Sequence, residues 1–385
     1  MSEFKASGFR DEFGNAGPDL VGITTMTSPY YFVPPSGTTA ERPDSPSPGM
    51  LRFNTDIGRL EVWRNDHWAT ILGESSDLGF STAGSGDSPG GTGTRGVLMG
   101  GGTPTPVNEI DYITVETLGN SLDFGNLNAT ERGSHNGQAG SRVKGLAMGG
   151  NDSGANVESI IFASTVSAVN HGNLLSTGRR LGGGASNQTR ALYAGGMTPV
   201  PQNNISAVDI ASTGSSETFG SLSTGTYFAS GVASSVRGVF SMGRETASPH
   251  YYGEIEYVTI SSQGNSQDFG NLTETQIPDG AGNSIRGIFS GGSNPTYTNF
   301  INFLTIATTG DALDFGDLTV AKAMAGAVSS PTRYVTMAGR NSGGSMIDEM
   351  DYVTIMTTGN AISFGEITGS DRFRPTSASN GHGGL

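Results

Sequence analysis

Pairs of carboxylates recur along the chain, and paired carboxylates are the groups that glycoside hydrolysis uses, held roughly 5–10 Å apart across a bound sugar. The pairs lie two residues apart, at Glu109, Asp111, Glu254, Glu256, Glu349 and Asp351. Because the pair returns at equivalent positions, whereas a catalytic pair would be unique, the pattern favours a structural role in each repeat. A recurrent arginine is one candidate partner.

Other residue types that carry chemistry are few. The five histidines form no i, i+4 pair and no His-x-His pair, and the chain contains no Cys, so the sequence indicates no transition-metal site. The nucleotide-binding pattern Gly-x-x-x-x-Gly-Lys-Ser/Thr is absent. We therefore predict no cofactor, no metal and no enzymatic activity.

Charge and hydropathy limit the partners. The net charge is −14 and the isoelectric point is about 4.7, whereas sequence-independent nucleic-acid binding needs clustered Lys and Arg. The N-terminus lacks the apolar core of a signal peptide, and no run approaches the roughly 18 apolar residues of a membrane helix. We therefore predict no nucleic-acid partner and no membrane insertion.

The elements that would position these residues are repeated. One arginine opens each unit and recurs at intervals of 47, 48, 47, 49 and 47 residues, at Arg95, Arg142, Arg190, Arg237, Arg286 and Arg333. A fixed period of roughly 20–50 residues is typical of solenoids and propellers. We hypothesise that Arg237 and its equivalents donate charge-assisted hydrogen bonds to acidic or backbone acceptors.

Each unit holds two clear strands and room for two more. Short apolar runs such as Arg286–Gly292 end in glycine, and a second run such as Glu254–Ile260 follows a loop. Pairs such as Gly264-Asn265 predict tight hairpins, each followed by a run such as Ser266–Leu272. Four strands per repeat fit a propeller blade. We therefore predict an all-β fold, with a six-bladed β-propeller over residues 95–385.

Two segments compete to complete the first repeat. Arg372–Asn380 at the C-terminus aligns with Arg179–Asn187, which is the first strand of a later repeat. Gly86–Thr94 precedes Arg95 in the same way. We favour the C-terminal strand, and the sequence does not decide between them.

The N-terminal region precedes the repeats. Residues 1–48 are predicted to form an extended arm and proline-rich linker, because residues 29–48 carry six of the 17 prolines. This segment is either a plain linker or a docking strand that attaches the protein to a partner. Its candidate anchors are Tyr30, Tyr31 and Phe32.

A separate small unit follows at residues 49–73. Its runs Leu51–Phe53, Leu60–Trp63 and Trp68–Leu72 predict a three-stranded β-meander. A sheet this small is marginal by itself, so we expect Trp63 and Trp68 to mediate attachment or oligomerisation. Residues 74–94 are rich in Gly and Ser and are predicted to be a linker.

The loop after the second strand differs most between repeats. Exposed loops on a rigid scaffold are common recognition sites, and ordinary turn variation is the alternative interpretation. The candidate receptor-binding residues in these loops are His250, Tyr251, Tyr252, Tyr297 and Phe300.

Residues 49–68, GMLRFNTDIGRLEVWRNDHW, resemble a short β-meander common in tail-fibre and other appendage proteins of tailed bacteriophages. The shared pattern is G-x-x-R-[FY]-N-T-[DE]-x-G-x-x-E-x-[WY]. The preceding SPYYFVPPSGTTAERP is similar to the N-terminal segment of virion structural proteins from marine phages, especially those of cyanobacteria. The repeats resemble kelch-type blades in length and in the Gly-Gly that closes the second strand, but they lack the regular blade tryptophan.

These resemblances imply a non-enzymatic virion appendage, like a tail or neck fibre, exposed on the particle exterior. The N-terminal arm would contact other virion proteins, and the chain would form a homo-oligomer, with a trimer favoured. The kelch-like propeller would bind a host-surface glycan or protein. Two alternatives remain open: a structural capsid or collar decoration protein without a ligand, and a propeller depolymerase that acts on host glycan.

Overall fold

The computed structural model describes residues 34–64, 66–70, 94–103, 105–131, 135–150, 155–175, 179–246, 250–274 and 276–385. The chain divides into two compact units, Met1–Ser75 and Ser76–Leu385. Apart from one 3-10 turn at Thr39–Glu41, the regular elements of the described ranges are strands. Within these ranges no helix is long and apolar enough to span a membrane. The fold is all-β.

The first unit contains one four-stranded sheet. Its strands are β1 (Ser36–Gly37), β2 (Leu51–Asn54), β3 (Arg59–Trp63) and β4 (Trp68–Thr70). Strands β2 to β4 form an antiparallel meander at the predicted place, and β1 pairs in parallel with β2. Strand β1 lies in the segment that was predicted to be an extended linker. The prediction missed this strand because two residues are too few to show an alternation of polar and apolar side chains.

A buried carboxylate connects the strands of this unit. The Glu61 side chain is fully buried and accepts hydrogen bonds from Arg42 Nη2 at 2.6 Å, Arg52 Nη1 at 3.0 Å and Asn54 Nδ2 at 3.2 Å. The hydrogen bonds from Arg42 hold the pKa of Glu61 below its usual value. A buried charge is tolerated when it is paired and its lone pairs are satisfied, as here.

The second unit is a series of small antiparallel sheets. The strands of its first three repeats are β5 (Arg95–Met99), β6 (Gly102–Thr103), β7 (Thr105–Thr114), β8 (Leu122–Glu131), β9 (His135–Gly137), β10 (Lys144–Met148), β11 (Asn156–Ile161), β12 (Val169–Asn173), β13 (Gly182–Ser186), β14 (Arg190–Ala194), β15 (Gln202–Asp209) and β16 (Glu217–Thr226). The remaining strands are β17 (Ser230–Ala233), β18 (Arg237–Ser241), β19 (Glu254–Thr259), β20 (Gln267–Asn271), β21 (Asp279–Gly282), β22 (Arg286–Ser290), β23 (Phe300–Thr305), β24 (Leu313–Asp317), β25 (Lys322–Ala323), β26 (Gly326–Ser329), β27 (Arg333–Met337), β28 (Arg340–Asn341), β29 (Glu349–Thr354), β30 (Ile362–Glu366) and β31 (Thr376–Ser379).

Four strands in chain order form the sheet of the fifth repeat, β21 to β24, and the sheet of the sixth is β26, β27, β29 and β30. The four strands of the third repeat, β13 to β16, and of the fourth, β17 to β20, are joined through β9 into one nine-stranded sheet. In the first repeat, β31 pairs antiparallel with β5, so the C-terminal strand completes this sheet. The competing segment at residues 86–93 lies outside the described residues. The second repeat has a three-stranded sheet, β10 to β12, while β9 pairs in parallel with β13 and β17.

Each repeat donates a hydrogen bond to the next through the cation that opens its second strand. Arg237 Nη1 lies 3.1 Å from Ile306 O, and Arg333 Nη1 in the sixth repeat lies 2.7 Å from Glu116 O in the first. The other pairs are Arg95–Phe162, Lys144–Ala211, Arg190–Ile260 and Arg286–Ile355. The acceptors are backbone carbonyls, and in the second repeat Lys144 takes the place predicted for Arg142.

The Gly-Asn pairs do not form the tight hairpins that were predicted. Gly264 and Asn265 lie near the end of the loop between β19 and β20, where they contact the preceding repeat. Gly264 N donates to Phe219 O at 3.0 Å, and Asn265 Oδ1 accepts from Ser221 N at 3.0 Å. A Cβ on Gly220 would lie 2.0 Å from Gly264 O, so a glycine is required for the two sheets to approach.

The hydrophobic core lies between neighbouring sheets. Leu192 and Ile205 of the third repeat pack with Phe240 and Ile260 of the fourth, and all four are fully buried. Arg237 also covers the face of Tyr257 at 4.5 Å, and Tyr257 packs edge-on against Phe269. One sheet cannot bury both of its faces alone, so the repeats stabilise one another.

Candidate functional site

The repeated carboxylates are structural groups. Asp111 is buried and pairs with Arg372, and Glu256 is buried and accepts from Ser223 and Ser266. The other central carboxylate, Asp351, accepts from Thr319 at 2.5 Å and lies 3.1 Å from Lys322 Nζ. The flanking residues Glu254 and Glu349 are exposed at the starts of strands, and Glu109 accepts from Ser370. In the described ranges, no cluster of His, Asp and Glu could hold a metal ion.

A cavity of about 350 Å³ lies in the second unit, where the first strands of several repeats begin. These first strands, β13, β17, β21, β26 and β31, contact one another and are called the inner strands below. Its lining residues come from the third and fourth repeats and from the segment before β31: Arg180, Leu181, Met197, Tyr227, Phe228, Arg244 and Arg374. Three of these seven described residues are arginines, and none of the seven is acidic. The described lining is therefore basic in a chain with a net charge of −14.

The backbone at this cavity is strained. Leu181, Phe228 and Arg374 have φ values of 62°, 58° and 56°. The neighbouring Met324 has a similar φ of 60°. Each lies one or two residues before an inner strand, at an equivalent place in its repeat. A residue with a Cβ in this left-handed region costs about 1–3 kcal/mol. Such strain persists only where the surrounding structure imposes it.

Hydrogen bonds between repeats impose this conformation. Phe228 N donates to Leu181 O at 2.6 Å, and Arg374 N donates to Met324 O at 2.8 Å. The side chains of Leu181, Tyr227, Phe228 and Ile277 then form a buried apolar cluster, with Met324 packed against it. The backbone therefore fixes where the lining side chains lie.

Two guanidinium groups flank one aromatic ring in the cavity. The Cζ atoms of Arg374 and Arg244 lie 5.0 Å and 5.7 Å from the centroid of the Phe228 ring. Arg244 Nε donates to Tyr227 Oη at 2.6 Å, and Arg244 Nη1 donates to Tyr251 Oη at 3.3 Å. Burial disfavours the charge of Arg244, but these hydroxyls outweigh burial and raise its pKa. Arg244 is therefore charged at every physiological pH.

The predicted receptor-binding residues are separated in the structure. Tyr251 reaches Arg244 and so supports the cavity. His250 is exposed and contacts Tyr252 with its ring 5.0 Å away; Tyr252 packs on the core, and burial raises its pKa. Tyr297 forms an isolated backbone β-bridge with Ser293, and Phe300 is the first residue of β23. Both residues belong to the fifth repeat and are half-buried.

The predicted attachment residues are described in part. Trp63 and Trp68 face each other across β3 and β4 with their ring centroids 5.6 Å apart, and both are half-buried. Arg42 and Arg52 lie 5.9 Å and 6.0 Å from the centroid of Trp68. The other three candidates, Tyr30, Tyr31 and Phe32, lie outside the described residues.

Sequence reasoning missed most of the cavity. Arg180, Leu181, Phe228 and Arg374 lie in polar or glycine-containing stretches with no motif. The only signal in the sequence is their position, because each lies just before an inner strand. The residue type at this position differs between repeats, whereas the arginine that opens the second strand and the glycines that end it recur in most repeats.

The arginine-lined cavity is the candidate binding site of the second unit. Comparison with known proteins adds no identification: no protein family matches the chain, and no curated protein is significantly similar to it.

Proposed function

We propose that this chain is a non-enzymatic virion appendage protein of a tailed bacteriophage. Its N-terminal arm and small meander attach it to the particle. Its repeats form a six-bladed, kelch-like β-propeller that is exposed on the particle exterior and binds the host surface. The observation that carries the binding function is the arginine-lined cavity in the repeat unit.

The propeller is supported by contacts between neighbouring repeats, because the sixth repeat contacts the first in the same way as the others contact the next. Arg333 of the sixth repeat donates to the first, just as Arg237 of the fourth donates to the fifth. The loops that hold the Gly-Asn pairs contact the preceding repeat in the same way. Gly119 N of the first repeat donates to Phe364 O of the sixth at 3.0 Å, as Gly264 N of the fourth donates to Phe219 O of the third. Strand β31 adds to the first sheet, which joins the two ends of the repeat series. Six sheets related in this way fit a closed disc.

The appendage assignment is supported by the residues that carry the resemblance to phage proteins. Arg52, Asn54 and Glu61 of the shared pattern are the groups of the buried network in the first unit. The pattern therefore encodes one particular small sheet rather than a loose turn sequence. A sheet of this size gains stability from a partner, as an attachment module would.

Binding rather than catalysis is supported by the fate of the carboxylates. Asp111, Glu256 and Asp351 are buried, and their partners are residues of the fold. None of the described residues that line the cavity is acidic. The described lining therefore offers no general acid and no carboxylate nucleophile for glycoside hydrolysis. Many copies on one particle would strengthen a shallow contact through multivalency.

Mass spectrometry and labelling of purified particles with a specific antibody test the proposal. We expect the protein on the particle exterior in a fixed copy number, in multiples of three for a trimer. The purified full-length protein should also adsorb to host cells and compete with particles. Absence from particles would refute the appendage function. Presence on the capsid without adsorption to cells would favour a decoration protein instead.

A further inference from the structure

Residues 381–385, which follow β31, pack across the ends of the inner strands and are called the plug below. We propose that the plug is released by acid: it covers the ends of the inner strands while His382 is neutral and leaves them when His382 takes up a proton. This inference does not depend on the proposed function, because it rests on contacts within the second unit.

The plug contacts several repeats at once. Gly383 N donates to the O atom of Gly282, the last residue of β21, at 2.9 Å. His382 Nε2 lies 3.2 Å from Gly140 O in the second repeat and 3.3 Å from Ser186 Oγ in the third. His382 and Gly383 are both buried. The plug is therefore a packed part of the repeat unit.

The plug fits its place too closely for side chains at its two buried glycines. A Cβ on Gly383 would clash with the backbone oxygens of Asn283 and Ala233, and a Cβ on Gly384 would clash with that of Ser186. These oxygens belong to the fifth, fourth and third repeats. Because tightly packed groups shift between discrete positions rather than deform continuously, the plug either occupies this place or leaves it.

The hydrogen bonds of the His382 ring fix its neutral form. Nε2 donates to Gly140 O, and Nδ1 accepts from Gly384 N at 3.2 Å. A ring that donates through one nitrogen and accepts through the other is neutral imidazole. Protonation would put a hydrogen on Nδ1, facing the N–H of Gly384. The plug would then lose this hydrogen bond and hold two donors against each other.

The charges around the plug also oppose a protonated ring. Burial lowers the pKa of His382 to about 4, and the positive charge of the exposed Arg142 acts in the same direction. A carboxylate, Glu116, lies at the edge of the plug, but its Oε2 accepts from Thr94 N at 3.0 Å. The other charged side chains of the adjoining turns are cations that reach carbonyls of the next repeat: Arg95, Lys144, Arg190, Arg237, Arg286 and Arg333.

The direction of the pH dependence follows from the two states of His382. In the released plug the ring has its ordinary pKa of 6.5, and in the docked plug the pKa is about 4. Below pH 6.5 the released form binds a proton that the docked form does not, so acid favours release. From pH 6.5 to pH 4.5 the ratio of released to docked plug should rise about 40-fold.

Hydrogen–deuterium exchange of the full-length protein tests the inference at pH 6.5 and 4.5, read by mass spectrometry on the C-terminal peptic peptide. A synthetic peptide of the same sequence gives the intrinsic exchange rate at each pH. We expect the protection of the plug to fall about 40-fold between the two pH values. At both pH values the plug should be at least about tenfold less protected than a peptide that covers β13 and β14, because it opens locally.

Two variants assign the pH dependence to His382. His382→Gln takes up no proton, so the protection of its plug should change less than about threefold between the two pH values. Arg142→Glu replaces a cation with a carboxylate that can pair with the protonated ring, so its plug should be better protected than the wild type at pH 4.5. The matched control is Arg64→Glu, an exposed position of the first unit, which should behave as the wild type.

Three results would each overturn the inference: equal protection of the plug and of strands β13 and β14, protection of the plug that is independent of pH, or an unchanged pH dependence in His382→Gln. If the plug of His382→Gln is unprotected at both pH values, Arg142→Glu decides. Added protection at pH 4.5 supports the inference, and protection equal to that of the wild type refutes it.

Discussion

Two regions of the repeat unit follow different rules: the contacts between neighbouring sheets and the inner ends of the same sheets. Between the sheets, equivalent residues make equivalent contacts, as when Arg237 and Arg286 both donate to a carbonyl of the next repeat. At the inner ends, equivalent positions hold Leu181, Phe228 and Arg374, which differ in size and charge. Repetition therefore marks the contacts that join neighbouring sheets, whereas divergence at the inner ends gives each repeat its own set of contacts.

The buried position in the middle of the third strand shows the same divergence in the interior. It holds Asp111, Ser206 and Asp351 in different repeats, and each has its own partner: Arg372, Arg179 and Lys322. The predictions that follow test two points. A substitution at a diverged position should have an effect that is specific to its repeat, and the same substitution at equivalent repeated positions should have similar effects on stability.

The largest effect is expected for Lys322→Met. Lys322 Nζ lies 3.1 Å from Asp351 Oδ2, and each side chain is 1% exposed. Its removal leaves a buried carboxylate without its cation, which costs about 3–5 kcal/mol. Urea unfolding measures the loss, and Lys322→Met/Asp351→Leu should recover most of it. A loss below about 1 kcal/mol would show that the pair does not stabilise the sixth repeat.

The next effect concerns pH and the unrepeated C-terminal residue His382. This histidine is 3% exposed and lies 3.2 Å from Gly140 O, and burial lowers its pKa to about 4. The folded state keeps it neutral while the unfolded state takes up a proton below pH 6.5. Its stabilisation is therefore complete above pH 6.5 and is lost as the pH falls to about 4, by about 3 kcal/mol.

Asp279 changes the stability with pH in the opposite direction to His382, so the measurement uses a variant that lacks the Asp279 carboxyl. Burial raises the pKa of Asp279 to about 8, so its contribution to stability is lost as the pH rises from 3.8 toward 8. The test compares Asp279→Asn with Asp279→Asn/His382→Gln by urea unfolding at pH 4 and 6.5. Equal slopes in the two proteins would mean that His382 does not titrate as described.

Much of the fold could be predicted because the strands of one sheet mostly follow one another in the chain and the contacts between sheets recur from repeat to repeat. The Arg237 and Gly220 positions recur with a period, and the C-terminal strand could be aligned with an earlier first strand. Strand β9 could not be predicted, because His135–Gly137 pairs with strands of two other repeats and its sequence is typical of a loop. The role of Gly264-Asn265 also depends on a neighbouring sheet.

The cavity could be predicted only at one edge. Tyr251 belongs to a variable aromatic loop, and the structure places it on Arg244. Arg180, Phe228 and Arg374 come from three separate stretches, and their meeting depends on how the inner strands assemble. No pattern within one repeat contains that information.

A repeated position gives the next prediction, Gly220→Ala. The added Cβ would lie 2.0 Å from Gly264 O, a backbone atom of the next repeat, so one sheet must shift. Overpacking of this kind costs about 2–3 kcal/mol. Gly264→Ala is the matched control, because a Cβ there meets no atom within 4 Å. If the two variants have the same melting temperature, close approach is not why this glycine recurs.

A smaller loss is expected for Arg237→Ala, which removes hydrogen bonds to Ile306 O and Ala307 O and the contact with Tyr257. The side chain is half-buried, so solvent screening limits the effect to about 1–2 kcal/mol. Because Arg286 makes the same kind of contact, Arg286→Ala should lower the melting temperature by a similar amount. An unchanged melting temperature for Arg237→Ala, equal to that of the exposed control Arg142→Ala, would contradict this role.

The smallest effect is expected for Ala338→Gly. Ala338 has φ of 65°, at the position where the third and fifth repeats have Gly195 and Gly291 with φ of 65° and 61°. Glycine would relieve about 1 kcal/mol of backbone strain, but the change loses a buried methyl of similar value and loosens the unfolded chain. We expect a change within about 1 kcal/mol of zero by urea unfolding. The reverse change Gly291→Ala brings a Cβ to 2.4 Å from Lys322 O and should destabilise the fold clearly. Repeated positions would then be interchangeable only where the neighbouring backbone leaves room, and a large effect of Ala338→Gly would show that the sixth repeat has diverged here too.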